Sequence, residues 1–100
     1  MSFFFHRFYK SASTLQGSFT IETDKMRGLL RHFIVKPATA SNTYDLAVSD
    51  GSELNLFERE AVEDELNETM QIPVQGKLFI TISGATIDEV FKIYLAIQEQ

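Results

Sequence analysis

Carboxylates are the side chains of this 100-residue sequence most able to do chemistry. Glu58, Glu60, Glu63, Asp64, Glu65 and Glu68 crowd into one stretch. Carboxylates at i, i+3 and i+4 could chelate a hard cation such as calcium. A calcium loop, however, spaces its oxygens around a sharp turn that needs Gly. This stretch has neither that spacing nor a Gly. A solvated face, or a contact for a basic neighbour, explains it better. Glu58, Glu60, Glu63, Asp64 and Glu65 are therefore read as an acidic contact surface. Ser49-Asp50-Gly51-Ser52-Glu53 also offers oxygens, and a hairpin turn accounts for them.

The remaining chemistry is sparse. Two histidines, His6 and His32, are too few for a three-histidine metal centre. His32 has apolar neighbours and reads as a partly buried strand residue, not as a base. The absence of cysteine removes disulfides, thiolate zinc sites, iron–sulfur clusters and thiol nucleophiles together. No G-x-x-x-x-G-K or G-x-G-x-x-G run is present to cradle phosphate. Paired carboxylates for glycoside hydrolysis would need a cleft, for which there is too little chain. The expectation is a binding or structural protein, not an enzyme, with no cofactor and no metal.

The first ten residues hold a second cluster. Phe3, Phe4, Phe5, Phe8 and Tyr9 stand close together, with Arg7 and Lys10 among them. So much aromatic area needs a place to be buried, since each ring is worth up to a few kcal/mol. Two readings compete. The segment is a first strand or clasp on the protein's own sandwich, or it is an arm that docks on another subunit. In the second reading Phe3, Phe4, Phe5, Arg7, Phe8, Tyr9 and Lys10 bind the partner. Residues 1–16 would then form the arm and residues 17–100 the β-sandwich domain.

Charge is unevenly placed. The formal net charge is −5. Residues 1–37 carry six basic and two acidic groups, a net +4. Residues 38–100 carry three basic and twelve acidic groups, a net −9. Either the charges mix once the chain folds, or a basic end meets an acidic flank between copies. The overall sign disfavours nucleic acid. No segment approaches the ~18 consecutive apolar residues of a membrane helix. The opening apolar run is shorter than the roughly 7–15 residues of a secretory signal, so synthesis in the cytosol is expected.

The elements that position these groups are strands. Phe19 and Ile21 alternate with polar residues. Asp24 to Gly28 reads as a connection, with Gly28 free to take positive φ. Leu29 to Lys36 is apolar on both faces and reads as a central strand covered on both sides, ended by Pro37. Thr43 to Ser49 alternates cleanly, Asp50-Gly51 turns, and Leu54 to Phe57 returns. Phe57, Ala61, Val62 and Leu66 have a loosely helical spacing, so one short helical turn or a long acidic loop is expected there. Met70, Ile72 and Val74 alternate around Pro73, which marks an edge strand or a bulge. Leu78 to Ile82 and Val90 to Ile97 alternate again. Tyr44 and Tyr94 read as buried. The result is an all-β, single-domain sandwich or jelly-roll-like fold of about seven or eight strands.

The block Gly28-Leu29-Leu30-Arg31-His32-Phe33-Ile34-Val35-Lys36-Pro37 is followed by Ser41-Asn42-Thr43-Tyr44-Asp45-Leu46-Ala47-Val48-Ser49-Asp50. Gln71-Ile72-Pro73-Val74, Thr81-Ile82-Ser83-Gly84-Ala85 and the strand with Val90, Phe91, Ile93, Tyr94 and Leu95 come later. Over residues 17–97 this order resembles small β-sandwich virion proteins of tailed bacteriophages, cyanobacterial and marine phages among them. The resemblance implies a homo-oligomeric structural protein, made in the host cytoplasm and resident in the virion. Its partners would be the major capsid protein or other virion proteins, and copies of itself, with a trimer as one arrangement. The lead role is capsid decoration, or cementing. The alternatives are a tail or fibre-attachment adaptor and a small carbohydrate-binding module. No catalytic residues carry over.

Overall fold

The period-two segments become eight antiparallel strands. The computed structural model describes residues 5–39, 43–51 and 55–99. The strands are β1 (Phe5–Thr14), β2 (Phe19–Glu22), β3 (Met26–Pro37), β4 (Thr43–Ser49), β5 (Asn55–Glu63), β6 (Leu66–Gly76), β7 (Phe79–Ser83) and β8 (Glu89–Glu99). A first sheet has the order β1-β8-β3-β6, and a second the order β2-β7-β4-β5. β1 pairs with β8, β2 with β7, β3 with β6 and β4 with β5. The chain is thus one long hairpin, rolled so that successive pairs fall in opposite sheets. That is a jelly roll.

Alternation explains the core. Tyr44, Leu46 and Val48 of β4 are buried, as are Phe91, Ile93, Leu95 and Ile97 of β8. Leu30, Phe33 and Val35 of β3, and Ile80 and Ile82 of β7, complete the centre. The Phe91 ring meets Tyr44 edge-on at 4.9 Å and Phe19 at 5.9 Å, which ties the two sheets together. Two buried threonines close the ends. Thr14 Oγ1 donates to the Thr86 carbonyl (2.6 Å) and accepts from the Glu89 N–H (2.9 Å). Thr23 Oγ1 donates to the Asp24 carbonyl (2.9 Å) and accepts from the Leu78 N–H (2.9 Å).

Several expectations need correction. Met26 already lies in β3, so the supposed connection at 24–28 is shorter. Gly28 has φ of +149° inside that strand, where the β8 backbone passes too close for any side chain. β3 is central but not covered on both sides. A bulge at Arg31 shifts its register between Leu30 and His32, so Leu30 and Phe33 both face the core. Leu29 and Ile34 lie on the open face and are only half-buried. The acidic stretch is neither helix nor long loop. It is most of β5, a corner at Asp64 and Glu65, and the start of β6. Asp64 takes φ of +58° at that corner. Its carbonyl accepts the Tyr44 hydroxyl at 2.9 Å.

Residues 5–14 form an edge strand of the first sheet, hydrogen-bonded along β8. Phe3 and Phe4 lie outside the described residues, as do Ser52, Glu53 and Leu54 of the expected hairpin.

Candidate functional site

The outward face of the first sheet gathers side chains from four separate stretches of sequence. In β8 the inward set is Phe91, Ile93, Leu95 and Ile97, which leaves Val90, Lys92, Tyr94, Ala96 and Gln98 outward. Register then assigns the neighbours. Tyr9 of β1 is opposite Tyr94, Tyr94 is opposite Ile34 of β3, and Ile34 is opposite Asn67 of β6. The next row is Arg7, Ala96, His32 and Thr69. Ser11, Lys92 and Lys36 form another. Phe5, Gln98, Leu29 and Pro73 form a fourth.

Local contacts order this surface. His32 Nε2 lies 2.6 Å from Asn67 Oδ1, and its ring stands edge-on to Tyr94 at 6.3 Å. Arg31 Nη1 donates to Gln98 Oε1 at 2.6 Å. A cleft of about 410 Å³ is lined by Phe5, Arg31, His32, Thr69, Met70 and Gln71. A second, of about 310 Å³, lies between Lys36 and Lys92 over Pro37, Ala38 and Val90.

The face has one sign of charge. Arg7, Arg27, Arg31, Lys36 and Lys92 belong to it, and no outward position of its four strands holds a carboxylate among the described residues. Lys36 and Lys92 are directly opposite each other and both exposed. Like charges in that position destabilise a sheet.

The opposite surface has the reverse sign. Outward positions of the second sheet carry Glu22 on β2, Asp45 on β4, and Glu58, Glu60 and Glu63 on β5. No lysine or arginine occupies an outward position of these strands among the described residues. Lys77, in the loop before β7, reaches Glu22 from the rim at 3.5 Å. Asp45 Oδ1 accepts the Ala61 N–H at 2.8 Å, which holds a bulge in β5 where Ala61 has φ of +50°. Arg59 turns the other way. It grips Glu68 of β6 with two bonds of 2.7 and 2.8 Å and stands 5.4 Å over the Phe57 ring. The guanidinium holds the Glu68 carboxyl below the usual carboxylate range.

The residues singled out in the sequence are therefore divided. Phe5, Arg7 and Tyr9 lie on the basic face. Phe8 points inward and packs on the core. Lys10 lies opposite buried Ile93 yet is exposed, a charge on the inner side of an edge strand. Such lysines discourage unwanted strand pairing. Glu58, Glu60 and Glu63 lie on the acidic face, and Asp64 and Glu65 at its corner. Among the described residues no group of three metal-ligating side chains comes together. Tyr44 is buried as expected, but Tyr94 is only half-buried and lies beside exposed Tyr9. That pairing escaped sequence reasoning because it depends on the β1–β8 register. The only sequence signal was the opposite parity of Tyr94 and Phe91.

No protein-family model matches the sequence, and no curated relative was found. Solved structures do match. A chain from Bacillus endospore appendages, which form a family of disulfide-linked pili, aligns at a TM-score of 0.63. It has 10% identity, over 99% of this chain and 90% of that one. PirA aligns at 0.58 with 7% identity, over 87% and 92%. The Yersinia pseudotuberculosis-derived mitogen aligns at 0.56 with 7% identity, over 99% and 90%. The likeness is one of fold. The sandwich is shared among proteins of different roles, so function must be argued from the surface.

Proposed function

We propose that this protein is a non-catalytic structural subunit that decorates a larger protein assembly through the outward face and adjoining end of its first sheet. One observation carries the reading. Among the described residues the exposed large hydrophobic ones are Phe5, Tyr9, Leu15, Ile87 and Val90. All five belong to β1, to β8, or to the loops at their shared end. The Asp88 N–H, which bonds the Thr14 carbonyl at 2.7 Å, brings those two loops together. Single exposed apolar side chains are ordinary, whereas several gathered along one edge mark a binding surface.

The phage resemblance supplies the assembly: the head shell of a tailed phage, with this chain as a cement protein. Many modest contacts repeated on a lattice give strong net attachment. The test is copy number in purified particles, by quantitative mass spectrometry against the major capsid protein. Decoration of the shell predicts hundreds of copies. A dozen or fewer moves the protein to the tail or fibre attachment. Absence from particles rejects the virion reading.

Tyr9 and Tyr94 favour one further reading. Two adjacent rings beside the His32–Asn67 pair could stack a sugar. Binding on a glycan array, abolished by Tyr9→Ser, would support a carbohydrate-binding module.

A further inference from the structure

We propose that the basic outward face of the first sheet receives the acidic outward face of the second sheet of another copy. Copies would then stack head to tail. The inference rests on the structural-subunit reading. The sheet face meets a neighbouring copy, and the adjoining apolar end with Leu15, Ile87 and Val90 is left for the assembly that the copies decorate.

Three observations converge. First, the charge asymmetry of the sequence does not mix away on folding. The two faces carry five like-signed groups each, Arg7, Arg27, Arg31, Lys36 and Lys92 against Glu22, Asp45, Glu58, Glu60 and Glu63. Second, the Lys36–Lys92 juxtaposition costs stability within one copy and has no local anion among the described residues of its face. A facing carboxylate from a neighbour would offset that cost. Third, the basic face is not merely charged. Tyr9, Tyr94 and Ile34 form an apolar row among the cations, so an anionic surface docking there also buries apolar area.

Size sets the strength. Four strands spaced ~4.8 Å apart and ~10 residues long at ~3.3 Å per residue give a face of roughly 600 Å². The second sheet is smaller, and its strands of 4, 7, 9 and 5 residues give roughly 400 Å². Docking then buries about 800 Å² in total, in the range of weak and transient contacts. A single contact is therefore weak and sensitive to salt. The two surfaces differ, so the contact is heterologous. It closes into a ring or continues as a row, according to the rotation between copies. Such a row suits a subunit that must repeat over a lattice.

The test is a two-component mixing experiment. One variant carries Lys36→Glu with Lys92→Glu, which keeps a like-charged pair in place and so leaves sheet stability close to the parent's. The other carries Glu58→Lys with Glu63→Lys, at exposed positions. Circular dichroism and thermal unfolding check that both fold. Sedimentation velocity at low salt should show concentration-dependent association of the parent. Each variant alone should associate at least about tenfold more weakly, and an equimolar mixture should recover the association. A parent that stays monomeric at low salt overturns the inference. So do variants that associate alone as well as the parent, and a mixture that recovers nothing. If the parent is monomeric yet abundant in particles, the stacking falls and the structural-subunit reading stands.

Discussion

Lys36 and Lys92 are register partners on β3 and β8, both exposed on the outward face of the first sheet. Nothing forces a sheet to place two lysines directly opposite each other. Their repulsion opposes folding of the single copy and favours docking of an anionic surface. Replacing one of them with a carboxylate converts repulsion to attraction. Lys92→Glu should raise the stability of the isolated domain by about 0.5 kcal/mol. The same substitution should weaken association. Thermal unfolding and sedimentation on one protein measure both, and a loss of stability would contradict the assignment.

Neighbours on β1 should behave oppositely. Phe8 packs on the core, so Phe8→Ala should cost about 2–4 kcal/mol in a denaturant titration. Tyr9 is 60% exposed, and Tyr9→Ser should change stability by no more than about 0.5 kcal/mol. Binding to particles should follow the reverse order once only folded protein is compared. Tyr9→Ser should reduce it severalfold, while Phe8→Leu, which keeps the core filled, should leave it intact.

Gly28 is a packing requirement. A methyl group there would overlap the Gln98 carbonyl oxygen, and φ of +149° disfavours any L side chain. Gly28→Ala should destabilise the domain by about 3 kcal/mol or more. Gly76 also has positive φ but meets nothing within 4 Å, so Gly76→Ala should cost clearly less. Equal effects in urea titrations would contradict the close approach of β8.

The sandwich also carries an alkaline limit. Burial, then the nearby Asp64 charge, pushes the Tyr44 hydroxyl up to about 12 from its ordinary 10.0. The folded protein thus holds this proton where the unfolded chain has lost it. The stabilisation is fully present below pH 10.0 and declines as pH rises towards about 12. Tyr44→Phe should cost about 1 kcal/mol at neutral pH through the lost bond to the Asp64 carbonyl. It should also flatten the fall in stability over the alkaline window. Thermal melts across that range provide the check.

Sequence alone reached the fold class because most strands alternate without interruption. Tyr44, Leu46 and Val48 show this, and so do Phe91, Ile93, Leu95 and Ile97. It failed where the backbone changes parity. The bulge at Arg31 puts Leu30 and Phe33 on one face, which made β3 look buried on both sides. The bulge at Ala61 and the corner at Asp64 and Glu65 shift parity twice. The inward residues Phe57, Val62 and Leu66 were left at a spacing that mimics a helix. The surface was legible only in part. Net charge by segment showed that basic and acidic groups are separated. Only the rolled hairpin shows that they become two opposite faces.

Lysine footprinting tests the binding face most directly. Brief acetylation of the protein in purified particles is compared with the free protein, residue by residue, by mass spectrometry. The account predicts that Lys36 and Lys92 are protected in particles, while Lys25, in the loop before β3, labels equally in both. Equal labelling of Lys36 and Lys92 in free and particle-bound protein would contradict it.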